Sequence, residues 1–183
     1  VTVLIEDTAP IAANDVAAIT EDAGSNTVTS NLVTTAGAGL DTQGADSPTI
    51  TGARAGAAAG ANTAVPGAGT VVITGTYGDL TIAADGTYTY TLDNTRAATQ
   101  GLESVAEGGS GPQTDVFTYL LDEGAVDGDT DEATLTVTVT PQDDADPTIA
   151  TTNTNLAATG DISVAETGTV TGGTFTLTAS AGL

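Results

Sequence analysis

The sequence predicts an all-β protein built as an antiparallel β-sandwich, and three observations predict it. Leu80, Ile82 and Ala84 alternate with Asp79, Thr81 and Ala83, and the same period of two recurs in Tyr88, Tyr90 and Leu92 against Thr87, Thr89 and Thr91. It recurs again in Leu135, Val137 and Val139 against Thr134, Thr136, Thr138 and Thr140. Alternation of this kind buries one face of a strand and wets the other, here the threonine face. Clusters of Gly, Asn, Asp and Pro separate these short runs, and no long helical period interrupts them, a pattern that favours packed antiparallel sheets over a parallel sheet flanked by helices.

Taken in order, residues 1–5, 27–33, 49–51 and 70–74 read as strands. Residues 79–84 and 87–92 form a hairpin around Asp85-Gly86, because Gly at a two-residue turn supplies the backbone twist that tight hairpins need. Residues 97–106 hold the one helical suggestion, with Leu102 and Val105 on a common face, read as a short crossover helix or helical loop. Strands follow at 117–121, 134–140 and 169–178. The segment Gly52-Ala-Arg-Ala-Gly-Ala-Ala-Ala-Gly60 contains two overlapping GxxxG spacings, which mark packed helices only within a long apolar span. Arg54 and Pro66 interrupt it, so it reads as a flexible loop. Ala, Gly and Thr dominate the composition, but disordered acidic chains lack sustained strand periodicity, and this chain has it.

The chain has 183 residues, 24 of them Asp or Glu and 2 basic (Arg54 and Arg96), for a formal charge of −22. It has no Lys, His, Cys, Met or Trp. Those absences remove Ser-His and Cys-His nucleophiles, Schiff-base chemistry and imidazole or thiolate metal sites. Paired carboxylates can cleave glycosidic bonds, but sugar sites want aromatic platforms and most of the six aromatics here sit in core phase, so no enzyme is expected. Gly37-Ala-Gly39 lacks the third glycine and the βαβ context of a dinucleotide site. Nucleic acid and anionic membranes both recruit clustered Lys and Arg, so neither is an expected partner. No apolar run of about 18 residues is present to span a bilayer. Without cysteine the chain suits a reducing compartment or an extracellular protein stabilised otherwise, and its charge favours the second.

Internal repetition sets the domain plan. Val1-Thr-Val-Leu-Ile-Glu-Asp-Thr-Ala-Pro10 is echoed by Val137-Thr-Val-Thr-Pro-Gln-Asp-Asp-Ala-Asp-Pro147, and Ile19-Thr-Glu21 by Val164-Ala-Glu166. The period is about 140 residues. Residues 1–7 then read as the last strand of a preceding repeat, 8–147 as one complete sandwich, and 148–183 as the opening strands of a following, incomplete β-domain, so the chain is expected to be a piece of a longer tandem array.

Acid is concentrated between Asp115 and Asp146, in Asp122-Glu123, Asp127-Gly-Asp129-Thr-Asp131-Glu132 and Gln142-Asp-Asp-Ala-Asp146-Pro147. Hard oxygen ligands suit Ca²⁺, which takes six to eight of them in irregular geometry, better than Mg²⁺. Counting from Asp127, the EF-hand pattern fails, because Glu132 stands where Gly is required and Thr138 where the bidentate Glu belongs. Gly108-Gly-Ser-Gly111 is followed by Pro112-Gln113, which excludes the RTX calcium nonapeptide. Any calcium therefore lies between loops or between domains. The segment Asp127 to Glu132, with Asp127 and Asp129 as its candidate ligands, reads equally well as a metal-binding loop or as a solvated loop whose charge blocks edge pairing. Asp143, Asp144 and Asp146, packed before a proline with no evident packing role, read as ligands.

The stretch Gly75-Thr-Tyr-Gly-Asp-Leu-Thr-Ile-Ala-Ala-Asp-Gly-Thr-Tyr-Thr-Tyr-Thr-Leu-Asp-Asn94, then Thr114-Asp-Val-Phe-Thr-Tyr119 and the closing strand 133–140, resembles a VCBS-type repeat of the bacterial cadherin-like and Ig-like group, common in giant secreted RTX adhesins. Glu6-Asp-Thr-Ala-Pro10 and Asp143-Asp-Ala-Asp-Pro147 are similar to that family's Asn-Asp-Ala-Pro junctions. The resemblance implies an Ig-like or cadherin-like antiparallel β-sandwich in tandem repeats, stiffened by calcium, on the cell surface and exported by a type I system. It implies Glu21 as the acidic residue of the first strand, Asp122 as the Asp that ends the Phe-Thr-Tyr strand, and the junction acids Glu6, Asp7, Asp143, Asp144 and Asp146 as ligands. Asp41-Thr-Gln-Gly-Ala-Asp46 matches the family's Asp-x-Asp-Gly-Asp only loosely, so Asp41 and Asp46 are not carried over.

The function expected on these grounds is that of a structural spacer in an extracellular bacterial adhesin or surface fibre, with neighbouring repeats or copies of itself as partners. Two other classes stand beside it: a subunit of a filament or viral fibre assembled by strand exchange through residues 1–5, and an adhesive module for a surface glycan or protein. Covalent stiffening through Lys-Asn isopeptides is excluded by the missing Lys.

Overall fold

The computed structural model describes residues 8–35, 40–44, 47–105, 108–124, 128–142, 150–151 and 164–165. The predicted strands at 1–5 and 169–178 lie outside them. The chain divides into two compact units, Val1–Asp143 and Asp144–Leu183.

In the first unit β1 (Asp15–Thr20), β2 (Thr27–Asn31), β3 (Thr49–Ala55), β4 (Thr63–Ala64), β5 (Thr70–Thr74), β6 (Gly78–Ala83) and β7 (Thr87–Leu92) are followed by the four-residue α1 (Ala97–Gln100) and by β8 (Gln113–Asp122) and β9 (Thr130–Thr140). One sheet runs β1-β9-β8-β3-β4, the other β2-β7-β6-β5. All pairings are antiparallel except one: β1 runs parallel to β9, with Asp15 beside Leu135 and Thr20 beside Thr140. In the second unit β10 (Ala150–Thr151) pairs antiparallel with β11 (Val164–Ala165).

The alternation dictates the core. Leu80, Ile82, Tyr88, Tyr90 and Leu92 from one sheet and Phe117, Tyr119, Leu121, Leu135, Val137 and Val139 from the other are buried together. Tyr90 meets Phe117 edge to face at a centroid distance of 6.0 Å. The threonines stay on the outer faces, where Thr29 and Thr89 join hydroxyls at 3.0 Å across β2 and β7. Gly86 takes φ 83° in the β6–β7 turn and donates to Ala83 O, as the hairpin reading requires.

Two elements differ from the sequence reading. The segment at 52–55 is strand, not loop: β3 continues to Ala55 past a register shift between Ile50 and Gly52. Gly52 is needed there because a Cβ would lie 2.8 Å from Asn62 Cβ. The helical suggestion over 97–106 shrinks to α1, one turn long.

The parallel pairing of β1 with β9 fixes where the chain enters and leaves. Ala12 N–H donates to Asp131 near the start of β9, and Glu21 N–H donates to Thr140 O at its end. The chain therefore reaches the sandwich at one end of β9 and leaves it at the other, about 35 Å away at 3.3 Å per strand residue. We call these the leading and trailing ends.

Candidate functional site

At the leading end, carboxylates arrive from three segments. Asp15 opens β1, Asp41 comes from the β2–β3 connection and Asp131 from the start of β9. Asp15 and Asp41 are buried, at 6% and 5% exposure. The hydroxyl of Tyr119, itself 1% exposed, stands among them. It lies 2.9 Å from Ala13 O, 3.1 Å from Asp15 Oδ2, and 3.2 and 3.1 Å from the two carboxylate oxygens of Asp41. A phenol has one proton to donate, so four oxygens compete for it. Asp41 Oδ1 also accepts from Ala13 N–H at 2.8 Å, and Asp131 Oδ2 accepts from Ala12 N–H at 2.9 Å.

No side-chain cation balances this group. The chain's two arginines are engaged elsewhere: Arg54 grips Glu132 through both terminal nitrogens, at 2.6 and 2.8 Å, and Arg96 pairs with Asp79 at 2.7 Å and Asp93 at 3.3 Å. Charge removed from water without a partner favours the protonated carboxyl. Burial pushes Asp15 up to about 7, with Tyr119 pulling it down and Asp41 adding to the rise. Asp41 is likewise raised, by burial first and by the neighbouring Asp131 charge last. Burial and the two adjacent carboxylates push the Tyr119 phenol well above its ordinary value.

Other oxygens line the same end. Gly44, at φ 64°, packs so closely on the Thr8 carbonyl and the Glu123 carboxylate that no side chain fits there. Asp122 closes β8, accepting from Thr51 Oγ1 at 3.1 Å and Gly124 N–H at 2.7 Å, and Glu123 N–H donates to Asp129 O at 3.2 Å. Among the described residues no three acidic side chains converge on one point at metal-ligand distances. The chemistry of the donor set nevertheless fits calcium: hard oxygens from separate segments, in excess negative charge, with fewer protons than acceptors.

The trailing end carries a buried acid of its own. Glu21 is 5% exposed and its Oε1 accepts from Gln142 N–H at 3.1 Å. That contact holds the Glu21 carboxylate against the backbone just after β9. Of the sequence-predicted ligands, Glu21, Asp122 and Asp129 are thus placed, Glu21 at one end and the other two at the opposite end. Glu6, Asp7, Asp127, Asp143, Asp144 and Asp146 lie outside the described residues.

The sequence does not single out Asp15 or Tyr119 as site residues; it shows Asp131 only as a member of the acidic run 127–132, and Asp41 only in a loose match to the family motif. A signal was present for two of them. Asp15 shares the phase of Ala17 and Ile19, and Asp131 that of Ala133, Leu135 and Val137. A carboxylate in the core phase of a strand marks a buried charge, which needs a partner.

Comparison with models of known protein families gives no match, and no curated protein matches the chain.

Proposed function

We propose that the chain is part of an end-to-end array of β-sandwich repeats, a structural spacer of an extracellular bacterial adhesin or surface fibre, whose joints are stiffened by calcium. The carrying observation is the parallel β1–β9 pairing, which sends the chain in at one end and out at the other, with buried carboxylates at both. In a tandem array of such units the acidic linker joins the trailing end of one, which carries Glu21, to the leading end of the next, which carries Asp15, Asp41 and Asp131. The echo of residues 1–10 in residues 137–147 supplies the same linker on either side. Together with the VCBS-like motifs, this supports a cadherin-like arrangement in which calcium belongs to the joints.

The electrostatics give the mechanism. Uncompensated carboxylates at a few ångströms repel, more strongly where burial lowers the local dielectric. A divalent ion shared by two units and their linker converts that repulsion into a bridge and restricts swivelling. Extracellular sites of this kind bind at roughly 10⁻⁴ to 10⁻³ M, so stiffness would follow the calcium of the surroundings.

Small-angle scattering tests the reading. The 183-residue chain should give different profiles in millimolar calcium and in EGTA, with the narrower spread of interunit distances in calcium. Superimposable profiles would dismiss calcium stiffening.

A further inference from the structure

Sheet edges invite pairing with other chains, and proteins guard them with charge, proline, bulges or brevity. Here β4 is two residues long, and β1 begins with Asp15 and runs into Glu21 and Asp22. The edge of the other sheet formed by β5 has no such guard: Thr70-Val-Val-Ile-Thr74 carries no charge or proline, and its register with β6 runs without a shift.

The register also shows which backbone groups are open. Gly75 N–H bonds to Gly78 O and closes the β5–β6 hairpin. In an antiparallel ladder bonded and non-bonded pairs alternate, so Ile73 and Val71 bond to β6, while Thr70, Val72 and Thr74 direct N–H and C=O away from it. Among the described residues no strand lies on that side of β5. The Val72 side chain is 57% exposed.

We propose that β5 pairs antiparallel with β5 of a second copy about a twofold axis at Val72, joining two four-stranded sheets into one. The strand is self-complementary in that register. Val72 faces Val72, Thr70 faces Thr74, and on the inner side Val71 faces Ile73. The open groups of Thr70, Val72 and Thr74 meet their counterparts in about six interstrand hydrogen bonds. Charge selects the occupant. On a chain of −22 most surfaces meet a second copy carboxylate to carboxylate, whereas β5 offers none. Its neighbour Asp79, opposite Thr74 on β6, is already paired with Arg96 at 2.7 Å.

A five-residue edge buries far less than a standard stable interface, so one pair is weak. Linked repeats convert it into a multivalent contact. The twofold axis makes the two chains run in opposite directions, the arrangement by which arrays from two facing surfaces would engage. This inference is independent of calcium.

Sedimentation equilibrium of the chain in EGTA, from about 10 µM to about 1 mM, tests it. The wild type should approach a dimer with concentration, and the amides of Thr70, Val72 and Thr74 should exchange more slowly as it forms. Val72→Lys sets two like charges directly opposite across the axis and should weaken association at least about tenfold. Thr29→Lys, the same charge change on the outer face of β2, should leave it intact, and circular dichroism confirms that both variants fold. A wild type that is monomeric throughout, or a dimer that survives Val72→Lys, overturns the proposal.

Discussion

Asp115→Ala is expected to bring the first unit close to unfolding. Asp115 is 3% exposed and is the first core-phase residue of β8. Its Oδ1 accepts from Thr76 N–H at 2.7 Å, and its Oδ2 from Tyr77 N–H at 2.9 Å, Gly78 N–H at 3.2 Å and the Tyr90 hydroxyl at 2.8 Å. One carboxylate thereby satisfies the whole Gly75-Thr-Tyr-Gly78 turn and ties it to the core. Removal would orphan four donors, three of them backbone amides that an antiparallel ladder does not serve. Leaving a buried donor unmet costs about 1–3 kcal/mol, and more where the lost acceptor was charged. Allowing for relaxation, a loss of about 3–5 kcal/mol is expected, against a total stability of about 5–15 kcal/mol for a domain. Asp115→Asn keeps one acceptor oxygen and should lose roughly half as much. Urea unfolding monitored by circular dichroism measures both. A midpoint unchanged by Asp115→Ala would show that the turn does not depend on the carboxylate.

The same residues explain why the turn tolerates only glycine at two places. A Cβ on Gly75 would lie 2.6 Å from Asp115 Oδ2, and one on Gly78 would lie 2.4 Å from Thr91 O. Arg96 closes the arrangement from outside, donating to Gly75 O at 2.9 Å and Gly78 O at 3.1 Å.

The second large effect concerns pH. Asp15 has a folded pKa of about 7, above its unfolded value near 3.9. Between those values the folded chain binds the extra proton, so stability falls as pH rises from about 4 to about 7. The full shift corresponds to about 4 kcal/mol, but Asp15 titrates together with Asp41 and the site relaxes around the charge, so the loss is on the order of 2 kcal/mol. Opposing groups set the acid limit. Glu132 is held at about 2 by Arg54 and then Asn62, and Asp93 is held low by Thr95 and then Arg96. Their contribution is present above the unfolded carboxylate pKa and is lost as pH falls toward their folded values. In EGTA the chain should therefore be most stable near pH 5, lower at pH 8 and lower again below about pH 3. Asp15→Asn should flatten the slope between pH 5 and 8 and raise stability at pH 8 in EGTA. Thermal melts across pH measure this, and a wild type that gains stability from pH 5 to 8 in EGTA would refute the assignment.

Much of the sheet architecture was legible from period two alone. β5 and β7 match their predicted spans, and β6 differs by one residue at each end. What periodicity could not supply was β1, whose short Ala-rich run Asp15-Val-Ala-Ala-Ile-Thr20 alternates weakly and is held by its parallel partner β9. Nor could it supply β3 beyond Thr51, since an Ala, Gly and Arg sequence has little intrinsic strand preference. Tertiary pairing with β8, and Arg54 reaching Glu132 from 78 residues away, make that segment a strand. The candidate site was half visible. The acid-dense segments contain Asp122, Asp129 and Asp131, whereas Asp15 and Asp41 stand alone in the sequence and meet Asp131 only through folding.

We propose that calcium takes the place of a proton at the leading end. Calorimetric titration of calcium at pH 7, repeated in buffers of different ionisation enthalpy, reads both binding and proton release. Saturable binding at roughly 10⁻⁴ to 10⁻³ M with a fraction of a proton released per ion is expected, with loss of that release in Asp15→Asn and of the binding in Asp41→Asn. Absence of saturable binding, or binding that releases no proton and is unaffected by either substitution, would contradict it.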